Sequence, residues 1–277
     1  MNSELILSTY NAPRALALSL QSLRQQSMRP SSIAIADDGS TAETREVIDR
    51  FQRDNPELRL RHVWHEDVGF RKTVILNKAI ASSKAEYLIF SDGDCLFSKG
   101  FIARHIGLAR HKRYLCGSLI RLPRAASDGM EAEQIDSGKV FSRDWLRSAK
   151  AIDRMTTWMK TKPAPVAALS PIEAIWPVRR TWSGSNASGY RHEILAVNGF
   201  DETMVWGGED KEFGIRLANS GVSGRHLRFT APVLHLDHPR GYVDPAAVQR
   251  QREMIKHARE SGKTWTKNGI NAEGDAR

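Results

Sequence analysis

Short apolar runs early in the chain, each stopped by a polar cluster, set the strongest limit on the fold. Leu5-Ile6-Leu7 runs into Ser8-Thr9-Tyr10-Asn11, and Ile33-Ala34-Ile35-Ala36 into Asp37-Asp38-Gly39-Ser40. Leu60 to Trp64 is a further strand candidate, and Tyr87-Leu88-Ile89-Phe90 runs into Ser91-Asp92-Gly93-Asp94. Continuous rather than alternating apolar strands are buried on both faces. Helical spacing separates them: Leu16, Leu20 and Leu23; then Val47, Ile48 and Phe51; then Ile75, Leu76, Ala79 and Ile80 within Lys72 to Ser82. Ser40 with Glu43 has the spacing of a capping box for the second helix. Strand–helix alternation predicts an α/β fold with a mostly parallel sheet and helices on both faces. Ligands of such sheets bind beyond the carboxyl ends of the strands. The clusters at Thr9–Asn11, Asp37–Ser40 and Asp92–Asp94 are therefore expected on one side.

Residues 121–180 are irregular. They hold Pro123, Pro163, Pro165, Pro171 and Pro177, and predict long loops with one or two helices around Ser142–Met159. Regularity returns after Ser183. A helix is expected over Glu209–Asn219, closed by Gly221, then a strand over Ala231–Leu236 and a helix over Pro245–Glu260. Asn271–Arg277 reads as a frayed end.

Composition removes several classes. No apolar run approaches the ~18–20 residues of a bilayer span. The N-terminus, Met1-Asn2-Ser3-Glu4, lacks the layout of a signal peptide. Two cysteines, Cys95 and Cys116, cannot make a disulfide framework and point to a reducing, cytoplasmic compartment. Without a CxxC, a cysteine-based zinc site is not expected. The net charge of +9 suits an anionic partner. The basic residues are scattered, with no basic stripe interleaved with aromatics, so nucleic acid is not the expected partner.

Asp92-Gly93-Asp94 at a strand end can hold a divalent cation with positions left open for phosphate oxygens; Asp-Gly also makes ordinary turns. Asp37-Asp38 can bond a base or ribose, or simply favour a helix start. His235 and His238 offer two imidazoles just past an apolar strand, as metal ligands or as surface histidines. In Gly207-Gly208-Glu209-Asp210 a carboxylate at a helix start can serve as a general base, although the helix dipole favours acids there in any case. Trp206, just before it, can stack on a sugar ring or pack in the core.

Taken in order, these pieces resemble GT-A-fold glycosyltransferases of family 2. The carrying residues are Ser8–Asn11, Asp37–Ser40, His65-Glu66-Asp67-Val68-Gly69-Phe70-Arg71, Asn77 and Ser91–Asp94. Asn198–Glu202, Trp206–Asp210 and His235–His238 resemble the acceptor region of β-1,4-galactosyltransferases and bacterial chondroitin-type polymerases. The resemblance spans most of residues 4–242, leaving 121–180 unmatched. It implies one GT-A, Rossmann-like domain: a donor-binding half over 1–120, a variable insertion over 121–182, an acceptor and catalytic half over 183–242, and a helical tail over 243–277.

The resemblance also implies roles. Thr9 and Tyr10 would line the uridine pocket and Asp38 would meet the uracil, with Asn11, Gly69, Arg71, Asn77 and Gly93 around the donor and Asp92 on the donor ribose or the metal. Asp94 and His238 would ligate Mn²⁺ or Mg²⁺. His235 falls where galactosyltransferases place a methionine ligand. Asp210 matches the inverting base, and Trp206, Gly208 and Glu209 match acceptor-binding positions. Ser183–Asn186 falls on the acceptor side. The implied partners are a UDP-sugar and a glycan or lipid-linked glycan of bacterial surface polysaccharide, with peripheral association at an anionic inner membrane face. A nucleotidyltransferase and a non-catalytic nucleotide-sugar binder are the competing readings. The first usually carries a glycine-rich phosphate loop that Ser8–Pro13 lacks, and the second predicts loss of the base, yet Asp210 is present.

Overall fold

The computed structural model describes residues 1–277 except Pro163, Trp206, 239–244 and 272–277. Ten strands are present among the described residues: β1 (Ser3–Thr9), β2 (Ser32–Asp37), β3 (Leu60–Trp64), β4 (Tyr87–Asp92), β5 (Cys95–Phe97), β6 (Arg113–Gly117), β7 (Leu119–Arg121), β8 (Ala187–Tyr190), β9 (Ser223–Leu227) and β10 (Val233–His235). Seven form one sheet in the order β3-β2-β1-β4-β8-β6-β9, and three form a second, β5-β10-β7. Pairing in the large sheet is parallel except at β8, which runs antiparallel to β4 and β6.

Alternate strand residues feed opposite faces. Leu5, Leu7, Ile33 and Ile35 pack with Leu16, Leu20, Ile48 and Phe51 on one side. Ile6, Ala34, Leu88 and Phe90 pack with Ile75, Leu76, Ala79 and Ile80 on the other. Each such side chain, fully buried, contributes about 1.5–3 kcal/mol, which is why unbroken apolar runs become central strands. The chain winds outward from β1 to β2 and β3, then returns to place β4 on the other flank of β1. The β1/β4 junction is thus the topological switch point, where a crevice opens beyond the strand ends.

The small sheet decides where the histidines go. In it β10 runs antiparallel to β5, with His235 opposite Cys95, and the Leu236 N–H donates to the Asp94 carbonyl at 3.0 Å. The strand expected over Ala231–Leu236 is confined to Val233–His235. Within residues 121–180, the part from Leu122 to Ile152 packs against this sheet, and helix Val166–Ile175 lies against β9 of the large sheet. The helices of this segment are Arg124–Asp128, Ala132–Asp136, Arg143–Ser148, Met155–Lys160 and Val166–Ile175, more than the one or two expected. Most are only five or six residues long, too short for a 3.6-residue period to register. Ile135, Val140 and Leu146 of this segment pack against Leu96, Ile120 and Leu234.

Two further expectations are corrected. Ser40 does not cap the second helix, which starts at Ala42 after Thr41 and has no side-chain cap. Its hydroxyl instead accepts the Asn11 N–H at 2.8 Å, tying the β1 and β2 loops together. Of the end expected to fray, 272–277 lie outside the described residues, but Asn271 is held: its N–H donates to Asn198 Oδ1 at 2.8 Å, and Asn198 Nδ2 donates to the Asn271 carbonyl. Asn198 sits at φ 65°, a left-handed conformation that asparagine tolerates better than most residues. The segment Asn198–Asp201 therefore holds Thr266 and Asn271, and Asp201 accepts the Thr266 hydroxyl at 2.5 Å. Helix Pro245–Glu260 lies against helix Glu209–Asn219, with Asn219 Nδ2 donating to the Ala258 carbonyl at 2.9 Å. Among the described residues no helix is long and apolar enough to cross a membrane.

Candidate active site

A cavity of about 420 Å³ opens at the carboxyl ends of β1, β2 and β4. Thr9, Tyr10, Asn11, Asp38, Asp92, Gly93, Asp94, His235 and His238 all line it, as do Phe70 and Lys72. The convergence expected from strand order alone is therefore present.

One end is built by backbone stitching. Asn11 Oδ1 accepts the Thr41 N–H, and the Gly93 N–H donates to the Ser8 carbonyl at 2.7 Å. Asp38 is held on both oxygens, with His65 Nε2 2.7 Å from Oδ1 and the Arg71 N–H donating to Oδ2 at 2.9 Å. Burial, aided by the Asp67 charge, outweighs these hydrogen bonds and raises the Asp38 carboxyl above its ordinary range. Thr9 Oγ1 is buried without a partner among the described residues. A buried unpaired hydroxyl is costly, so it is ready for a ligand group. Asp37, by contrast, is structural: Oδ1 accepts the Ser40 N–H, and His62 Nε2 lies 2.8 Å from Oδ2.

At the other end Asp94 meets the two histidines. His238 Nε2 is 3.2 Å and His235 Nε2 3.6 Å from Asp94 Oδ2. The ligand atoms of all three lie within 4.8 Å of one another. Two imidazoles and a carboxylate suit a divalent metal ion, and the set leaves positions for phosphate oxygens. Asp92 lies beside this set, with a carboxylate oxygen within 4.8 Å of an Asp94 oxygen, while its Oδ1 accepts both the Ser8 hydroxyl and Lys72 Nζ at 2.7 Å. Burial alone would raise its carboxyl, but Lys72 and these hydrogen bonds hold it below the ordinary range. Cys95, next in sequence, is fully buried, and burial followed by the Asp94 and Asp92 charges pushes its thiol well up, so it stays protonated.

The candidate base stands at a helix start that glycine makes possible. Gly207 and Gly208 have φ of 96° and 95°, and a Cβ on Gly208 would meet Ile255 Cδ1 at 3.1 Å. The Gly184 N–H donates to Asp210 Oδ2 at 2.7 Å, and a Cβ there would press to 2.9 Å from Asp210 Oδ1. Residue 184 must therefore be small. Burial first, then the adjacent Glu209 charge, push the Asp210 carboxyl up to about 7 against the pull of Lys72 and the Gly184 N–H. A carboxylate near neutrality is matched to proton abstraction. Should Asp210 be the base, kcat/KM falls about tenfold per pH unit below about pH 7 and is level above it. A pH–rate profile checks this; a limb near the usual carboxylate value of 3.8 would contradict it.

Not every expected residue reaches the cavity. Asn77 is 2% exposed and fully engaged elsewhere: Nδ2 donates to the Phe200 carbonyl and to Glu202 Oε1, and Oδ1 accepts the Phe200 N–H. A donor-contacting role for it gives way to a structural tie between the sheet's helix and the Asn198–Glu202 turn. Arg71 serves Asp38 through its backbone, and the cavity wall is made by Phe70 and Lys72 on either side of it. Gly69 forms an exposed turn with φ 93°, outside the cavity lining. Glu209 is buried, with Oε2 unpartnered among the described residues, and Gly208 precedes it. Trp206 lies outside the described residues.

Lys72 was missed by the sequence reading. It joins the two halves of the site: it pairs with Asp92, and burial, which would lower its ammonium, is overridden by Asp92, Asp210 and Glu209, so it stays charged. Its position directly after Gly69-Phe70-Arg71 was the available signal, but a lysine opening a helix looks like surface charge until Asp92 is seen against it.

The architecture is shared with solved structures. The mannosyltransferase PcManGT from Pyrobaculum calidifontis, in complex with GDP-Man and Mn²⁺, superposes with a TM-score of 0.57 at 19% identity, covering 91% of this chain and 60% of that one. TarS 1-349 from S. aureus, in complex with UDP-GlcNAc, gives 0.56 at 16% identity, covering 92% and 65%. The fold is that of the GT-A glycosyltransferases. The model for glycosyl transferase family 2 matches residues 4–171, and one described as the N-terminal domain of galactosyltransferase matches residues 167–239. The chain belongs to glycosyl transferase family 2. Chondroitin synthase from Escherichia coli is 24% identical over 238 residues, 80% of this chain and 33% of that protein. The chain spans 66%, 48% and 33% of the lengths of the first three curated relatives it matches.

Proposed function

We propose that the chain moves a hexose or N-acetylhexosamine from a UDP-sugar to a hydroxyl of a glycan acceptor, with inversion and with Mn²⁺ or Mg²⁺. The acceptor is a glycan or lipid-linked glycan of bacterial surface polysaccharide or lipopolysaccharide. The observation that carries this reading is the convergence of Asp94, His235 and His238 at the cavity of the β1/β4 switch point. Support also comes from the UDP-GlcNAc of one structural neighbour and the Mn²⁺ of another. The net charge of +9 supports peripheral association with an anionic membrane.

Thr9, Tyr10, Asn11 and Asp38 would hold the uridine, Thr9 offering its unpartnered hydroxyl. Asp94, His235 and His238 would hold the cation, which when bound offsets negative charge developing on the departing diphosphate. Lys72 brings a second positive charge to the same wall and keeps Asp92 ionised. Asp210, oriented by the Gly184 N–H, takes the proton of the acceptor hydroxyl as that oxygen attacks the anomeric carbon. One displacement inverts the centre, so no protein nucleophile is needed.

Calorimetry with UDP and a panel of UDP-sugars, with and without Mn²⁺, tests the donor site. UDP binds only with the cation, and Asp94→Ala weakens that binding by about a hundredfold or more. Absence of uridine binding under every metal condition would overturn the donor assignment, and preferential GDP binding would move it to a guanosine donor.

A further inference from the structure

The outer edge of the large sheet holds a concentration of cations that the transferase reading does not use. There β9 pairs only with β6 among the described strands, with Arg113 opposite Ser223 and Leu115 opposite Arg225. Arg113 and Arg225 therefore project from the same face, one step apart along the ladder. Arg180 arrives from the other side, its carbonyl accepting the Tyr114 hydroxyl at 2.6 Å. Between them is a cavity of about 210 Å³, lined by Arg113, Arg180, Arg225 and His226 with Ser223 and Gly224. It shares no residue with the cavity at the switch point. Arg110 adds a further charge, bridged to Arg113 across the turn before β6.

Among the described residues none of Arg110, Arg113, Arg180 or Arg225 joins an ion pair. Glu173, the acid acting on Arg225, is 2% exposed and already committed: it accepts the Phe229 and Thr230 N–H groups, the Thr230 hydroxyl and Arg104. Two polar atoms at the cavity are buried without partners among the described residues, Arg225 Nε and His226 Nδ1. His226 is 8% exposed. Burial, then the nearby Arg228, Lys160 and Arg180, pull its imidazole down to about 4, so at neutral pH it is an uncharged hydrogen-bonding group. Burial, then Arg104 and Arg113, lower the Arg225 guanidinium, the mark of positive charges crowded together.

We propose that this edge cavity binds a phosphate-bearing anion, a phosphoryl or diphosphate group, through Arg113, Arg180, Arg225 and His226. Guanidinium groups bordering one cavity without ion-pair partners among the described residues suit a ligand of at least two negative charges. Tetrahedral phosphate oxygens match their planar forks, and a carboxylate would leave most of the donors idle. A lipid headgroup and a free phosphate offer this same phosphoryl chemistry. The site is independent of donor chemistry and stands or falls apart from it.

The test uses the full chain carrying Asp94→Ala, with EDTA present, so that the donor site does not take up the probe. Pyrophosphate is titrated by calorimetry and followed by thermal melting. Binding is expected, with about a tenfold loss in Arg113→Gln and in Arg225→Gln and a larger loss in the double variant. Pyrophosphate raises the melting temperature of the parent but not of the double variant. Without pyrophosphate, Arg225→Gln melts no lower than the parent, because it relieves uncompensated repulsion; this also shows that the variant folds. Absent binding, or binding unchanged in both single variants, overturns the site. Co-sedimentation with phosphatidylcholine vesicles, with and without phosphatidic acid, separates the sources. Retention on the anionic vesicles alone, lost in the double variant, identifies a lipid headgroup. Pyrophosphate binding without vesicle retention identifies a soluble phosphate.

Discussion

Asp210→Asn is expected to leave UDP binding within about twofold and to lower turnover by about two to four orders of magnitude, the span that general-base catalysis contributes. The asparagine keeps the shape and the hydrogen bond from the Gly184 N–H but cannot take up the acceptor proton. Donor binding survives because the cavity lined by Thr9, Asp38 and Asp94 does not include Asp210. The informative comparison is Asp94→Ala, which loses donor binding, against Asp210→Asn, which loses only the chemical step. Calorimetry and single-turnover transfer on both variants separate them. Turnover retained in Asp210→Asn would remove the base assignment and direct attention to Glu209, the buried carboxylate beside it.

The second large effect concerns stability. Arg216 is 0% exposed on the same helix, Glu209–Asn219. Nε donates to Glu212 Oε1 at 2.7 Å, Nη1 to the Val197 carbonyl at 2.5 Å and Nη2 to the Gly199 carbonyl at 2.8 Å. It thereby fixes the helix that carries Asp210 to the Asn198–Gly199 turn, which in turn holds Asn271. Arg216→Met keeps much of the volume but leaves Glu212 buried without its cation and two carbonyls without donors. The expected loss is about 3–5 kcal/mol, as for breaking one side of a buried ion pair. Urea unfolding measures it, and a loss below about 1 kcal/mol would show that the network relaxes without cost. Replacing both partners, Arg216→Met with Glu212→Leu, should recover part of the loss, since the penalty lies mainly in the stranded charge.

The parallel core was legible because each central strand is a continuous apolar run that can be stable only between two helical layers. The Glu209–Asn219 and Pro245–Glu260 helices were legible at both ends, since their stops are local: Gly221 after one, Pro245 opening the other. Asp94, Asp38 and Asp210 could be singled out for the same reason, as each sits where a predicted element ends. The short helices over residues 121–180 were not legible, because they are fixed by packing against the small sheet rather than by any period of their own.

What the sequence alone determined, then, is the side of the sheet on which chemistry gathers, since strand direction and strand ends are local properties. Tertiary structure decided which residues meet there. Asn77 and Lys72 lie on one helix, in one stretch of resemblance. Its rotation against the sheet buried Asn77 under Phe200 and turned Lys72 onto Asp92. His235 reaches Asp94 through the pairing of β10 with β5, a contact between segments far apart in the chain. Such pairings depend on how layers dock, and docking is set by the summed burial of many side chains, which no single motif records.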